Sequence, residues 1–172
     1  MQGWTATAAF GRSDCERLEY GLLAQPVLAL TSLAYVAVGV AVLCWALRSK
    51  AVLAGTAGLA LIAVGFGSFV FHGPQPSWAG PVHDWPIIVL AGVCVAGVAR
   101  SARARRSAWI AAAAVFALGL AAYAAGRTGS PLCRPDSPWQ YHGIWHVLSG
   151  AAAGLAAWAM VSARQYRSRR CR

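Results

Sequence analysis

Apolar residues along this chain gather into five long blocks separated by short polar segments. The blocks cover approximately 27–47, 52–71, 83–99, 108–125 and 142–161. A hydrocarbon core about 30 Å thick takes roughly 20 helical residues, so each block is long enough, or nearly so, to cross it. Backbone polar groups in lipid must be satisfied within the segment, which makes such blocks helices. The third block is the shortest, and Pro86 near its start suits a first helical turn. The pattern predicts an all-α, polytopic membrane bundle of about five spans. It forms a single membrane domain over 1–172, ending in a basic tail at 162–172.

Composition sharpens this picture. The 172 residues are 58% hydrophobic and 12% charged, whereas soluble domains carry about 25% charged residues. Fifteen basic against five acidic residues give a net charge of +10, a balance that a nucleic-acid binder also shows. Here the basic residues, all Arg except Lys50, sit in clusters between the apolar blocks. With the amino terminus outside, eleven fall in inner segments, and four (Arg12, Arg17, Arg127, Arg134) fall outside. That is a positive-inside distribution. An anionic inner leaflet accounts for the terminal RQYRSRRCR, so no nucleic-acid partner is expected. Residues 1–20 lack a basic stretch followed by an apolar core, so the amino terminus is expected to stay on the protein. The preference for Arg over Lys, with much Ala and Gly, points to a GC-rich bacterial source and its inner membrane.

Cysteine positions follow the same topology. Cys44 and Cys94 fall inside spans and Cys171 in the inner tail, while Cys15 and Cys133 fall in outer segments. An oxidising compartment would let the last two pair, and two separate thiols are the alternative. The outer loops GPQPSWAGP and SPLCRPDSPW are expected to be ordered. Gly150 and Gly154 form a small-residue face for helix packing.

Polar residues converge at one depth. Span two ends G-S-F-V-F-H-G-P, with Ser68 and His72 four apart on one helix face. Span three opens H-D-W-P with His83 and Asp84, and span five opens H-G-I-W-H with His142 and His146. The outer end of span two and the outer starts of spans three and five meet in one leaflet. Taken singly, Asp84 could be a helix N-cap and His72 a C-terminal residue facing the dipole. Taken together, they form a candidate metal centre. A His pair at i, i+4 holds a metal from one helix face, and a third His leaves one position open for water. A nearby carboxylate takes that water's proton, and a hydroxyl can donate to a developing oxyanion. No nucleophile elbow surrounds Ser68, which argues against a Ser-His-Asp hydrolase. His142 and His146 share a face and cannot both ligate one haem axially. The inner halves, almost purely Ala, Leu, Val and Gly, argue against a transport pathway.

The ordered set S-x-x-x-H at Ser68 and His72, Asp84, and H-x-x-x-H at His142 and His146 resembles the alkaline ceramidase family. That family belongs to a membrane hydrolase superfamily that includes adiponectin-receptor-like proteins. The Cys15-Glu16 pair, the Q-P-V-L-A-L-T-S-L-A-Y start of span one and the H-G-I-W-H-V-L-S-G run are also similar, together touching about half of the chain. The resemblance implies an intramembrane zinc amidase that cleaves the N-acyl bond of ceramide-like lipids. His72, His142 and His146 would ligate zinc, with Asp84 and Ser68 flanking the water. It also implies pairing of Cys15 with Cys133. Some members carry a calcium site near the amino terminus; here it would draw on Glu16, Asp14 and Glu19, with Gln25 standing where a further carboxylate is expected. The family has seven spans against five counted here, and removing a pair preserves the sidedness of the last helix.

The expected function is zinc-dependent hydrolysis of a lipid amide. Its rival is a non-catalytic membrane receptor or lipid-binding protein with a structural metal, in which His83 would be a fourth ligand closing the site.

Overall fold

The computed structural model describes residues 10–161, and among them the regular structure is all helical. The elements are α1 (Pro26–Thr31), α2 (Leu33–Ser49), α3 (Val52–His72), α4 (Ala79–Ser101), α5 (Arg106–Ala125) and α6 (Tyr141–Ala159). The expected tail at 162–172, with Cys171, lies outside the described residues.

Four stretches are long and apolar enough to cross a membrane: Pro26–Ser49, Val52–His72, Ala79–Ser101 and Arg106–Ala125. The fifth expected span forms the 19-residue α6 but is not among them. Its apolar run is interrupted by His142, His146 and Ser149, all of which are buried. Residues that the bundle encloses are polar here, so the hydropathy of α6 falls while its burial rises. The lipid-facing character lies elsewhere: α4 exposes Trp85, Ile88 and Val95, and α5 exposes Ile110 and Leu118. Exposed side chains of this kind suit a lipid environment.

α1 begins with Pro26, whose fixed φ and missing N–H suit a first turn. The first free amides of that helix are satisfied from a distance. Glu16 accepts from Val27 N at 2.7 Å and Leu28 N at 2.9 Å. Burial pushes the Glu16 carboxyl up, while those two amides pull it down. Ser32 separates α1 from α2 and returns its hydroxyl proton to the Leu28 carbonyl at 2.8 Å.

α2 packs along α3, α3 along α4, and α5 along α6, while α6 also lies against α1, α2 and α3. α4 and α5 follow each other in the chain without packing along their length. α4 begins at Ala79, four residues before the expected start. Pro86 is therefore inside the helix rather than in its first turn, and Asp84 is not an N-cap. Trp78 precedes the helix without any side-chain cap, so no local signal marks that start. Pro86 cannot donate to the Val82 carbonyl, as a residue at i+4 ordinarily would.

The expected disulfide is present: Cys15 joins Cys133 across 118 residues of sequence. Around it, Cys15 N donates to Gly126 O at 2.8 Å and Thr128 N to Ser13 O at 2.9 Å. The segment before α1 is thus tied to the α5–α6 connection. Cys44 in α2 and Cys94 in α4, which the sequence placed inside spans, are free.

Candidate metal centre

His72 ends α3, and His142 and His146 occupy the first two turns of α6. All three are buried, and one ring nitrogen from each lies within 4.8 Å of the others. The rings of His72 lie 5.4 Å from those of both His142 and His146, centre to centre. The convergence expected from topology is therefore present. Burying three imidazoles side by side is costly, and an ion held between them would offset that cost.

The hydrogen bonds behind the rings decide which nitrogens are free. Gln25 directs its Nε2 at two backbone carbonyls, Gly11 O and Glu16 O, each at 3.1 Å. Only an amide NH2 can serve two carbonyls, so the other terminus of Gln25 is the oxygen. That Oε1 lies 2.8 Å from His72 Nδ1. Nδ1 must then carry the proton, and the lone pair stands on Nε2. His72 Nε2 is buried without a protein hydrogen-bond partner.

The same logic fixes His146. Thr31 Oγ1 gives its proton to Val27 O at 2.8 Å, so toward His146 Nδ1, at 3.0 Å, it can only accept. Nδ1 again holds the proton and Nε2 the lone pair. A metal-ligating His characteristically donates its second ring N–H in this way. The orphaned Nε2 of His72 and the partners behind both rings fit a metal with nitrogen ligands.

Ser68 lies one helical turn before His72 and is 2% exposed. Ser68 and Asp84 both line a cavity of about 890 Å³ that opens beneath the histidines, between α4 and α5. Its remaining walls are mainly apolar, including Leu90, Ala112, Phe116 and Ala153. Along α6 the lining runs from His142 to Ala156, about 21 Å at 1.5 Å per residue.

Asp84 does not touch the three histidines by hydrogen bond. It accepts from His83 Nδ1 at 2.7 Å, and its side chain is 69% exposed. His83 in turn stacks on Phe71, ring centres 4.4 Å apart. His83 is not part of the three-histidine group, so the closed four-histidine arrangement is not formed among the described residues.

No family model, curated protein or solved structure matches this chain. Site chemistry therefore rests on the geometry alone.

The three acidic residues named for calcium do not assemble into a site. Glu16 spends both oxygens on Val27 and Leu28, and Glu19 is exposed. Asp14 turns toward His142 and Arg127. Among the described residues, the histidine trio is the one group of three such side chains close enough to share an ion.

Sequence inspection missed the supporting residues. Gln25 and Thr31 entered only within the Q-P-V-L-A-L-T-S-L-A-Y run, with Gln25 also noted as a missing carboxylate, and neither was given a role beside a histidine. Asp14 was assigned to calcium, although its neighbour Cys15 was expected to reach Cys133, nine residues before His142. That pairing was the available signal for Asp14.

Proposed function

We propose that this protein is an intramembrane zinc-dependent amidase that hydrolyses the N-acyl bond of ceramide-like or other N-acyl lipids. The observation that carries the proposal is the buried group of His72, His142 and His146 beside a largely apolar cavity that two of them, His72 and His142, line. His72, His142 and His146 would hold a divalent ion, which would supply Lewis acidity toward a carbonyl oxygen and lower the pKa of a water.

This chain's residues then divide the remaining work. Asp84 lines the cavity and is oriented by His83, itself held against Phe71. It accepts the proton as water adds to the amide carbon, and returns it to the nitrogen when the C–N bond breaks. Ser68, at the cavity wall, donates to the carbonyl oxygen as charge develops there. The walls contributed by α4, α5 and α6 take the acyl chain and exclude water. Products are a fatty acid and a free amine. The eleven-to-four distribution of basic residues supports an outer-leaflet site with the carboxyl terminus inside. Its Arg-rich, Ala- and Gly-rich composition supports a bacterial inner membrane.

One observation favours the non-catalytic alternative: Asp84 pairs with His83 rather than with the histidine cluster. Fatty-acid release from a panel of N-acyl lipids separates the two. The amidase releases fatty acid from at least one lipid, and His72→Ala abolishes that release. Zinc-loaded protein that cleaves none of them is a receptor or binding module.

A further inference from the structure

In two of the three histidines the group in hydrogen-bond reach of Nδ1 is neutral, Gln25 for His72 and Thr31 for His146, although Asp14 Oδ2 also stands 4.0 Å from His72 Nδ1. His142 is different. Behind it stands Asp14, a carboxylate whose side chain is 4% exposed, with Oδ1 2.9 Å from His142 Nδ1. The contact lies off the line of a straight N–H···O bond, which leaves Nδ1 without a directed hydrogen-bond partner. Two lone pairs facing each other at that separation would repel. The carboxylate therefore holds the proton on Nδ1, and the free lone pair falls on Nε2.

Asp14 is itself fixed from several sides. Arg127 Nη1 donates to the same Oδ1 at 2.9 Å. Asp14 N donates to Gly11 O at 2.9 Å, and Thr128 Oγ1 donates to Asp14 O at 2.9 Å. The next residue is anchored by the Cys15–Cys133 bridge. Arg127 packs over Tyr123 at 5.1 Å, and Tyr123 packs its ring against His142 at 5.3 Å. A buried charge held this firmly in the segment preceding α1 is costly unless it has a partner that needs it. Asp14 is also not part of the group whose ligand atoms lie within 4.8 Å of one another.

We infer that Asp14 is a positioning residue for the metal centre, forming with His142 a carboxylate–histidine–metal relay whose carboxylate is steadied by Arg127. This inference rests on the metal-dependent function proposed above. The relay makes His142 the most electron-rich of the three ligands, because a carboxylate behind Nδ1 raises ligand basicity more than an amide or hydroxyl does. It also explains why the amino-terminal segment is fastened to the α5–α6 connection. Asp14, Gln25 and Thr31, the groups behind all three rings, come from residues 14–31.

The test measures affinity of the full-length protein for Zn2+ by competition with a chromophoric chelator, and the visible ligand-field bands of the Co2+ form. Asp14→Ala is expected to weaken zinc binding roughly 10–100-fold while leaving the Co2+ bands in place, because the ligand atoms are unchanged. Asp14→Asn, which keeps an acceptor oxygen without its charge, is expected to lose less and serves if Asp14→Ala does not fold. Formation of the Cys15–Cys133 bridge reports folding in each variant. Arg127→Gln is expected to weaken zinc binding in the same direction. Unchanged affinity in folded Asp14→Ala and Asp14→Asn overturns the inference, and so do altered Co2+ bands, which would make Asp14 a ligand. Wild-type protein that binds no zinc, or zinc that survives His72→Ala, overturns the metal centre itself. Zinc lost in His72→Ala but held normally by Asp14→Ala overturns only the role of Asp14.

Discussion

The Val82 carbonyl oxygen occupies the space that a side chain on Gly67 would need. Pro86, four residues after Val82, has no N–H to give that carbonyl, and the oxygen faces α3 where α3 carries no side chain. His83 and Asp84 follow one and two residues after Val82, and they line the same cavity as Ser68 and His72. Gly67→Ala is expected to push α3 and α4 apart, at about 1–3 kcal/mol for an overpacked contact. Zinc content should remain, because α6 carries two of the ligands, while amidase activity falls as Asp84 leaves the cavity wall. Parallel metal and activity assays on this variant check the split.

Gly126 makes a second such contact. A side-chain carbon there would lie 2.5 Å from the His142 backbone nitrogen. Gly126→Ala is expected to displace His142 itself and so to weaken zinc binding, in contrast to Gly67→Ala. Chelator competition on the two variants, side by side, should place the losses on different sides of the binding-versus-turnover division.

Gln25→Leu removes the acceptor behind His72 with little change of volume. It leaves His72 Nδ1–H and the Glu16 carbonyl without that partner, while Gly11 O keeps the Asp14 amide. Each unsatisfied buried group costs about 1–3 kcal/mol, and zinc affinity should fall roughly 10–100-fold. Thermal unfolding and zinc titration read the two effects separately. Equal affinity for wild type and Gln25→Leu would remove the orienting role given to Gln25.

Helix positions were legible because long apolar blocks have few alternatives in lipid. The three histidines were legible because connectivity alone brings the ends of α3 and α6 together. Asp14, Gln25 and Thr31 were not, because their roles depend on contacts across 47 to 128 residues of sequence that no local pattern encodes. The fifth expected block, α6, is not among the four stretches long and apolar enough to cross a membrane, for a related reason. Its site residues lower the hydropathy of the helix that carries them. The start of α4 was misplaced because Pro86 reads as a first-turn signal, whereas the helix begins at Ala79 with no side-chain cap to mark it.

The disulfide carries both stability and site order. Replacing Cys15 and Cys133 by Ser should cost about 2–5 kcal/mol, and zinc affinity should drop with it because Asp14 adjoins the bridge. Denaturation and zinc titration of the double variant test this, and affinity unaffected by a clear loss of stability would uncouple the bridge from the site.

Asp84→Asn is expected to keep zinc and lose roughly 10²–10⁴ in rate. His83→Ala should keep zinc and lose part of the rate, since it only orients Asp84. Zinc loss in Asp84→Asn would instead make Asp84 a ligand.

Metal content of the purified full-length protein, measured by elemental analysis on wild type, His72→Ala, His142→Ala and His146→Ala, tests the account most directly. The account predicts one zinc per chain in wild type and its loss in each of the three variants. Zinc absent from wild type, or retained after any single replacement at wild-type affinity, would contradict it.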